Sequence, residues 1–242
     1  MQKLSIIIPC YNEEEVLPHL LKRMESVVDN LKKDWDVELL FVNDGSKDKT
    51  GSILEDFAKA HKFVRVLHHR VNMNLGAAMR TGIKEAKGDV IVTNDSDCTY
   101  PPEEIPLLLA HLTEGVDMVT ASPYHPKGGV ENVPGYRLFL SKSVSQLYRW
   151  VTKSNIHTFT SLFRAYRAPV AKGVDIKYND FLGVTELLTY PLLRGCSIKE
   201  YPTVLRVRKY GSSKIKILKV IKSHLEFLWY LTKNKRKIAR IR

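Results

Sequence analysis

Two aspartates one residue apart are the strongest chemical signal in the sequence. Asp95 and Asp97 follow an apolar run at residues 90–93, which the pattern predicts to be a buried strand. In an extended segment residues i and i+2 point the same way, so the two carboxylates repel each other unless a cation neutralises them. Mg²⁺ or Mn²⁺ suits such a pair and completes its shell with substrate phosphates. The alternative is a solvated turn, because isolated pairs of this kind are common.

Polar loops also follow the first two predicted strands, at residues 9–13 and 43–46. Ligands of parallel sheets bind beyond the carboxyl ends of the strands, so both loops are candidates for a nucleotide site. Each loop has a structural alternative. Ser46 or Asp48 could cap a helix, and Glu13 could be an ordinary acid of a first helical turn.

The elements that position these loops alternate regularly over the first 121 residues. Strands are predicted at residues 4–9, 37–42, 64–67, 90–93 and 117–121, with helices after residue 12, around 53–58, at 76–86 and from 101. This order predicts βαβ crossovers and a mostly parallel sheet with helices on both faces. Later in the chain we predict a mobile loop at 122–134, helices at 138–151 and 184–194, a strand and turn at 159–167, a strand or strand pair at 197–207, and an amphipathic helix at 214–231.

The net charge of +12 lies in the last part of the chain. Residues 206–242 contain thirteen Lys/Arg and one acid, whereas the remaining residues balance. Such a block needs an anionic partner, which could be phosphate, nucleic acid or an anionic membrane. Ordinary composition excludes a disordered, collagen-like or disulfide-scaffold protein, and no apolar run is long enough to span a membrane. Three distant cysteines favour a reducing cytoplasm.

Four segments, in order and spacing, resemble the family 2 glycosyltransferases of the GT-A fold. They are the segment from Ile6 to Glu13, the segment from Phe41 to Thr50, the loop from Asn72 to Gly82, and the segment from Gly88 to Glu103. The resemblance implies that Asp95 and Asp97 bind the metal and, with Ser96, the donor diphosphate. It further implies that the donor base and ribose contact Pro9, Tyr11, Glu13 and Asp44. Asn74 stands where many relatives have glycine, and asparagine tolerates a positive φ better than most residues.

The second half resembles the branch that makes polyprenyl-phosphate (dolichyl-type) hexoses. The segments from Thr160 to Arg167 and from Arg208 to Lys214 carry this resemblance. It implies that Arg208 and Lys214 supply cations to the leaving diphosphate. It also implies an acceptor-phosphate site, with Arg137 in a catalytic role, made of Arg137, Ser141 and Arg164.

The acceptor can be predicted from what it requires. A sugar hydroxyl needs a general base, for which Asp97, Asp180 and Glu186 are candidates, whereas a phosphate monoester is already an oxyanion. Arginines suit a phosphate because a planar guanidinium can bind two of its oxygens. We therefore predict an inverting, metal-dependent transfer of a hexose from a GDP- or UDP-linked donor to a polyprenyl phosphate. The alternative is transfer to a saccharide hydroxyl in polysaccharide synthesis.

The chain is expected to form a GT-A domain over residues 1–212, with a nucleotide-sugar half (1–122) and an acceptor half (123–212), followed by a basic amphipathic helix and tail (213–242). That helix would hold the protein peripherally on the cytoplasmic face of an anionic membrane. A nucleic-acid partner is not expected, because the tail lacks interleaved aromatics. A homo-oligomer is left open.

One further string is interpreted as a coincidence. Residues 146–150 read Q-L-Y-R-W, which matches the Q-x-x-R-W string of processive polysaccharide synthases. Here it precedes Glu186 and lies on a predicted amphipathic helix without membrane-spanning neighbours. We therefore predict that Leu147 and Trp150 face the core.

Overall fold

The computed structural model describes residues 1–207 and 217–240, with side chains in the last helix from Val220 onward. A seven-stranded sheet forms its centre, in the order β3-β2-β1-β4-β7-β5-β8. Of its neighbouring pairs, only those of β7 with β4 and β5 are antiparallel. A small second sheet pairs β6 with β9 in parallel.

The strands are β1 (Gln2–Cys10), β2 (Trp35–Asn43), β3 (Val64–His68), β4 (Val90–Thr93), β5 (Met118–Ser122), β6 (Gly129–Glu131), β7 (Arg164–Arg167), β8 (Ile198–Pro202) and β9 (Val204–Arg206). The helices are α1 (Leu17–Leu31), α2 (Thr50–Ala60), α3 (Leu75–Glu85), α4 (Ile105–Ala110), α5 (Gly135–Thr152), α6 (Ala168–Lys172), α7 (Leu182–Leu193) and α8 (Ile217–Ala239). None of the described helices is long and apolar enough to cross a membrane.

The central strands are continuous apolar runs because both faces of the sheet are covered. Successive side chains of a strand point to opposite faces. Ile6 and Ile8 therefore join the core beneath α1, whereas Ile7 joins the core formed with α3 and α7. Burial on both sides explains why these strands are continuous apolar runs, without the alternation of polar and apolar residues found in a half-exposed sheet.

Helix α3 lies very close to the segment before α7, and a glycine makes this approach possible. A Cβ atom on Gly76 would lie 2.1 Å from the carbonyl oxygen of Tyr178. The preceding Asn74 has φ 71° and ψ 168°, a conformation normally reserved for glycine. The positive φ that asparagine was expected to tolerate is therefore present, and it directs the chain into the first turn of α3.

The structure confirms the doubly covered, mostly parallel sheet and the C-terminal helix, and it revises several details. The segment 122–134 is not only a loop, since it contains β6, and 197–207 divides between two sheets. Helix α8 extends to Ala239. The prediction that Leu147 and Trp150 face the core is wrong: Leu147 is 40% exposed and Trp150 82% exposed. The predicted domain boundary after residue 212 lies outside the described residues.

Candidate active site

A cleft of about 610 Å³ lies at the carboxyl ends of β1, β2 and β4. The sequence-predicted residues Pro9, Tyr11, Glu13, Asp44, Asp95, Ser96, Asp97, Arg137 and Ser141 all line it. The donor-side residues come from three strand ends that are neighbours only after folding, whereas Arg137 and Ser141 come from the first turns of α5. The structure thus brings together the two halves that the sequence analysis treated separately.

The loop after β4 holds its two aspartates through short-range hydrogen bonds. The backbone N–H of Asp95 donates to Oδ1 of Asn94 over 2.9 Å. Oδ1 of Asp97 accepts the backbone N–H of Thr99 over 3.0 Å and also the hydroxyl of Thr99. Cys98 between them has φ 57°, which makes the turn tight. Thr99 therefore orients the Asp97 carboxylate.

This donor set fits a hard divalent cation. Asp95 and Asp97 offer oxygen ligands at the cleft wall, and the described residues contain no cluster of three or more His, Cys, Asp or Glu able to hold a metal. Mg²⁺ typically binds through one or two carboxylates and substrate phosphates, so two carboxylates beside an open cleft match its needs. A closed structural zinc site would require a fuller protein ligand set.

The two nucleotide-side loops are tied to each other. The backbone N–H of Asn12 donates to Oγ of Ser46, and that of Lys47 donates to Oδ1 of Asn12. The backbone N–H of Glu13 donates to Oγ1 of Thr50 over 2.7 Å. Ser46 therefore connects two loops rather than capping α2, and the pair of loops forms one continuous wall of the cleft.

The N-terminus of α3 borders the cleft but its first amides are already used. The N–H groups of Gly76 and Ala77 both donate to the carbonyl oxygen of Asn179, over 2.7 and 3.2 Å. Helix N-termini often bind phosphate through such amides. Here the N–H groups of Gly76 and Ala77 are not available to a phosphate.

On the side of the cleft predicted to bind an acceptor, Arg137 is exposed and its Nε donates to the hydroxyl of Tyr136 over 3.2 Å. The hydroxyl of Ser141 lies 2.9 Å from that of Thr160. Arg206 also lines the cleft, and its backbone N–H donates to the carbonyl oxygen of Thr99. Sequence reasoning did not single out Arg206, although it lies only two residues before the Arg208–Lys214 motif.

The expectation for Arg164 is corrected by its position. Its side chain is fully buried and does not line the cleft. Nε donates to Thr120 Oγ1, Nη1 to the carbonyl oxygen of Val184 over 2.5 Å, and Nη2 to that of Phe159 over 2.9 Å. Arg164 thus joins β5, β7 and α7 beneath the site and cannot reach an acceptor phosphate.

Neither Glu186 nor Asp180 lines the cleft, so neither is placed to act as a general base. Glu186 is buried, which raises its pKa to about 7, and its Oε2 accepts the backbone N–H groups of Lys177 and Tyr178. Its carboxylate shapes the segment whose Asn179 carbonyl receives the amides of α3. Arg208 and Lys214 lie outside the described residues.

Helix α8 supplies a wall that sequence reasoning missed. Val220, Ile221 and His224 line the cleft. Nδ1 of His224 lies 2.9 Å from the hydroxyl of Tyr148 on α5, and burial lowers the pKa of His224 to about 4. His224 is therefore a neutral group near pH 7. Nothing in the apolar spacing of this helix distinguishes a cleft-lining histidine from a surface one.

The sequence of this chain matches a known protein family and is similar to characterised relatives. A family model described as glycosyl transferase family 2 matches residues 5–174. The chain is 33% identical to a dolichol-phosphate mannosyltransferase of Pyrococcus furiosus over 99% of its own length and 66% of that protein. It is 34% identical to a polyprenol monophosphomannose synthase of Mycolicibacterium smegmatis over 88% of its length and 81% of that protein.

Among solved structures, the chain resembles glucosyl-3-phosphoglycerate synthase from Mycobacterium tuberculosis, in complex with Mn²⁺, uridine diphosphate and phosphoglyceric acid. The TM-score is 0.71 at 19% identity, covering 97% of this chain and 78% of that one. At this identity the likeness shows a shared fold.

Proposed function

This chain belongs to glycosyl transferase family 2, and we propose that it transfers a sugar from a nucleotide sugar to a polyprenyl phosphate with inversion at the anomeric carbon. It is a glycosyltransferase. The two relatives named above carry polyprenyl-linked mannose transfer in their names, and the chain spans 66% and 81% of their lengths. The acceptor, the donor and the membrane location of this chain are accordingly proposals.

One observation carries the choice of acceptor. Among the described residues after Ser122 that line the cleft, there are two arginines, Arg137 and Arg206, and no aspartate or glutamate. A hydroxyl acceptor would need a base on that side, since Asp97 is proposed to bind the metal, and His224, with its pKa lowered to about 4, is a weak one. A phosphate monoester needs no base, only cations that bind it.

The reaction follows from this arrangement. An oxygen of the acceptor phosphate attacks the anomeric carbon, the bond from that carbon to the donor diphosphate breaks, and the nucleoside diphosphate leaves with the electron pair. Arg137 orients the attacking phosphate, whereas the guanidinium of Arg206 lines the same side of the cleft with its Nε donating to Glu131 over 3.2 Å. Asp95 and Asp97 would hold Mg²⁺ or Mn²⁺, which when bound stabilises the negative charge that grows on the leaving diphosphate. The proposed roles of Arg208 and Lys214 as further cations remain predictions.

The lining beyond Arg137 suits a lipid. Leu140 and Val144 of α5 face the cleft together with Val220 and Ile221 of α8. Such a surface can cover the first isoprenoid units next to the phosphate, since burying apolar area is favourable by about 25 cal/mol per Å². A saccharide acceptor would instead need polar partners for its hydroxyls.

A panel of donors tests the proposal. The full chain is incubated with GDP- and UDP-linked sugars, Mg²⁺ or Mn²⁺, and either a short polyprenyl phosphate or an oligosaccharide. We expect one donor to give a lipid-extractable product that mild acid hydrolyses, and only with the polyprenyl phosphate. Transfer to the oligosaccharide alone would refute the proposed acceptor.

Replacing Arg137 by alanine should weaken use of the acceptor without weakening nucleotide binding. Charge-assisted hydrogen bonds contribute about 1.5–3 kcal/mol, so KM for the polyprenyl phosphate should rise by about 10–100-fold. Arg137→Lys should recover only part of the loss because lysine cannot bind two oxygens in one plane. Steady-state kinetics measure KM, and isothermal titration measures the affinity for the nucleoside diphosphate; an unchanged KM would remove Arg137 from the mechanism.

Two neighbouring helices expose a face suited to a membrane surface. On α5, Tyr136, Phe139, Leu147 and Trp150 recur on one helical stripe, with Phe139 71% and Trp150 82% exposed. On α8, which contacts α5 through the Tyr148–His224 and Tyr148–Phe227 pairs, Leu225 and Trp229 are exposed. Lys233 lies 3.8 Å above the ring of Trp229. Aromatic residues beside cations are typical of helices that lie in a membrane interface.

The apolar stripe predicted for α8 is thereby divided. Phe227, Leu228 and Leu231 pack on the body of the protein, whereas Leu225 and Trp229 point away from it. The side chains of Ile217 and Leu218 lie outside the part of the chain that the structure describes. We propose that the exposed part docks on an anionic membrane; the cytoplasmic face remains a prediction from the sequence.

Charge removal from the end of α8 should weaken binding to anionic vesicles. Deleting residues from 232 onward would also remove the buried Ile238, so we propose substituting Lys235, Arg236 and Lys237 by glutamine. At about 1 kcal/mol per cation, the partition coefficient should fall by about 100-fold. Co-sedimentation with anionic and neutral vesicles measures it, and Lys59→Gln, on α2, is the control. Binding that is independent of salt and equal on anionic and neutral vesicles would contradict an electrostatic contribution to membrane binding.

A further inference from the structure

His69 is a buried histidine that no motif identifies, and it contacts Asp44 in the cleft wall. Its Nδ1 lies 2.6 Å from Oδ1 of Asp44, and its Nε2 lies 2.9 Å from the hydroxyl of Thr81 on α3. The side chain of His69 is 9% exposed and does not line the cleft. Because a carboxylate only accepts hydrogen bonds, Nδ1 carries the proton that is donated to Asp44.

The same oxygen of Asp44 receives a second hydrogen bond. The backbone N–H of Met73 donates to Oδ1 over 2.9 Å. A carboxylate oxygen has about two lone-pair sites, so Oδ1 is saturated by His69 and Met73. Oδ2 has no hydrogen-bond partner within residues 1–207 and 217–240. Oδ2 of Asp44 is thus available to accept a hydrogen bond from a ligand, while Oδ1 is fixed by its two hydrogen bonds.

The position of Asp44 relative to the metal-binding pair defines what that acceptor can reach. β2 and β4 flank β1, and neighbouring strands lie about 4.8 Å apart, so Asp44 lies about 10 Å across the sheet from Asp95. A nucleotide whose diphosphate lies at Asp95 and Asp97 extends its ribose and base away from them. The acceptor side is occupied by the arginines, so the base belongs on the side of Asp44 and Tyr11.

We propose that His69 is a positioning residue for the donor base: with Thr81 behind it, it fixes Oδ1 of Asp44 so that Oδ2 accepts a ring N–H of the base. This inference rests on the proposed function, because it takes a nucleotide sugar as the ligand. Both uracil and guanine carry a ring N–H beside a carbonyl group. Without His69, the carboxylate is held by one hydrogen bond and can rotate away from the base.

Nucleotides with a methylated ring nitrogen test this directly. The probes are uridine diphosphate with its 3-methyl analogue and guanosine diphosphate with its 1-methyl analogue, titrated calorimetrically into the full chain with Mg²⁺. For the nucleotide that binds more tightly, the wild type should prefer the parent over the methylated form by about 10–100-fold, the range of a hydrogen bond to a charged group. In His69→Phe this preference should fall to about threefold or less, with weaker binding of the parent.

Three variants separate positioning from general damage. His69→Asn places an amide N–H near the position of Nδ1 and should retain most of the preference. Thr81→Val leaves His69 unsupported and should reduce the preference by about 2–10-fold. His61→Phe removes an imidazole whose Nε2 lies 3.1 Å from Oε1 of Glu25. Neither residue lines the cleft, so the preference should be unchanged. Thermal melts compare the folding of all variants, and His69→Asn and Thr81→Val provide the answer if His69→Phe does not fold.

The outcomes are distinguishable from those of the proposed function. An unchanged preference in folded His69→Phe, or no preference in the wild type, overturns the role of His69 even if sugar transfer to polyprenyl phosphate is observed. Conversely, the protein could prefer the parent nucleotide over its methylated form in a way that depends on His69 and yet transfer no sugar to the lipid. That result would support the role of His69 in nucleotide binding and refute the proposed acceptor.

Discussion

Replacing Asp97 by asparagine is expected to lower kcat for sugar transfer by about 10²–10³-fold, the range for removing one group that stabilises transition-state charge. Asparagine keeps the size of the side chain and an oxygen able to accept from Thr99, whose hydroxyl and backbone N–H both donate to Asp97. What it removes is one negative charge from a pair that would otherwise hold a divalent cation. The loop shape should survive while metal affinity falls.

The measurement is kcat at saturating donor and acceptor over a range of Mg²⁺ or Mn²⁺ concentrations, together with calorimetric binding of the nucleoside diphosphate with and without metal. The wild type should lose activity in a chelator and bind the nucleotide more tightly with metal. Asp36→Asn is the matched control, since Asp36 is an exposed acid at the opposite end of β2. Metal-stimulated nucleotide binding that is equal in Asp97→Asn and wild type would contradict the assignment.

Replacing Arg164 by alanine is expected to destabilise the fold by about 3 kcal/mol, rather than to impair acceptor binding. Two buried carbonyl oxygens, of Val184 and Phe159, would lose their donors, at about 1–3 kcal/mol each, and a cavity would remain. Relief from burying a charge offsets part of this cost. For a chain of this size the melting temperature should fall by about 6–12 °C. Arg164→Lys should recover little, because one ammonium group cannot reach three separate acceptors.

Chemical denaturation gives the free energy of unfolding, and kinetics below the melting transition give KM for the polyprenyl phosphate. Arg164→Ala and Arg137→Ala should behave in opposite ways. The first loses stability with an unchanged KM, whereas the second raises KM with unchanged stability, because Arg137 is exposed. A stable Arg164→Ala protein with a raised KM would return Arg164 to the acceptor site.

The fold and the donor side of the cleft could be predicted largely from local sequence. Runs such as residues 4–9 and 90–93 are apolar because strands covered on both faces must be, and helical spacing between them requires crossovers. Once the sheet is parallel, its strand-end loops share one edge. Asp44, Asp95 and Asp97 therefore had to lie on the same side, and the cleft contains all three.

The acceptor side could not be predicted in the same way, because its residues are defined by packing over long chain distances. Nothing in the string around Arg164 says whether its strand turns the guanidinium into the core or into the cleft. Insertion of β7 antiparallel between β4 and β5 decides this. Likewise, Leu147 and Trp150 were predicted to be buried from their apolar character, but the face of α5 that packs inward is that of Ser145 and Tyr148.

The sequence by itself determined the fold class, the family resemblance and the pair of carboxylates, because those depend on periodicity and on spacing within one segment. Only the tertiary structure decided that Arg137 rather than Arg164 lines the cleft, that His224 of α8 forms part of its wall, and that His69 contacts Asp44. These features depend on contacts between side chains of elements that are distant in the sequence. Such contacts follow from the close packing of the whole core rather than from any local pattern.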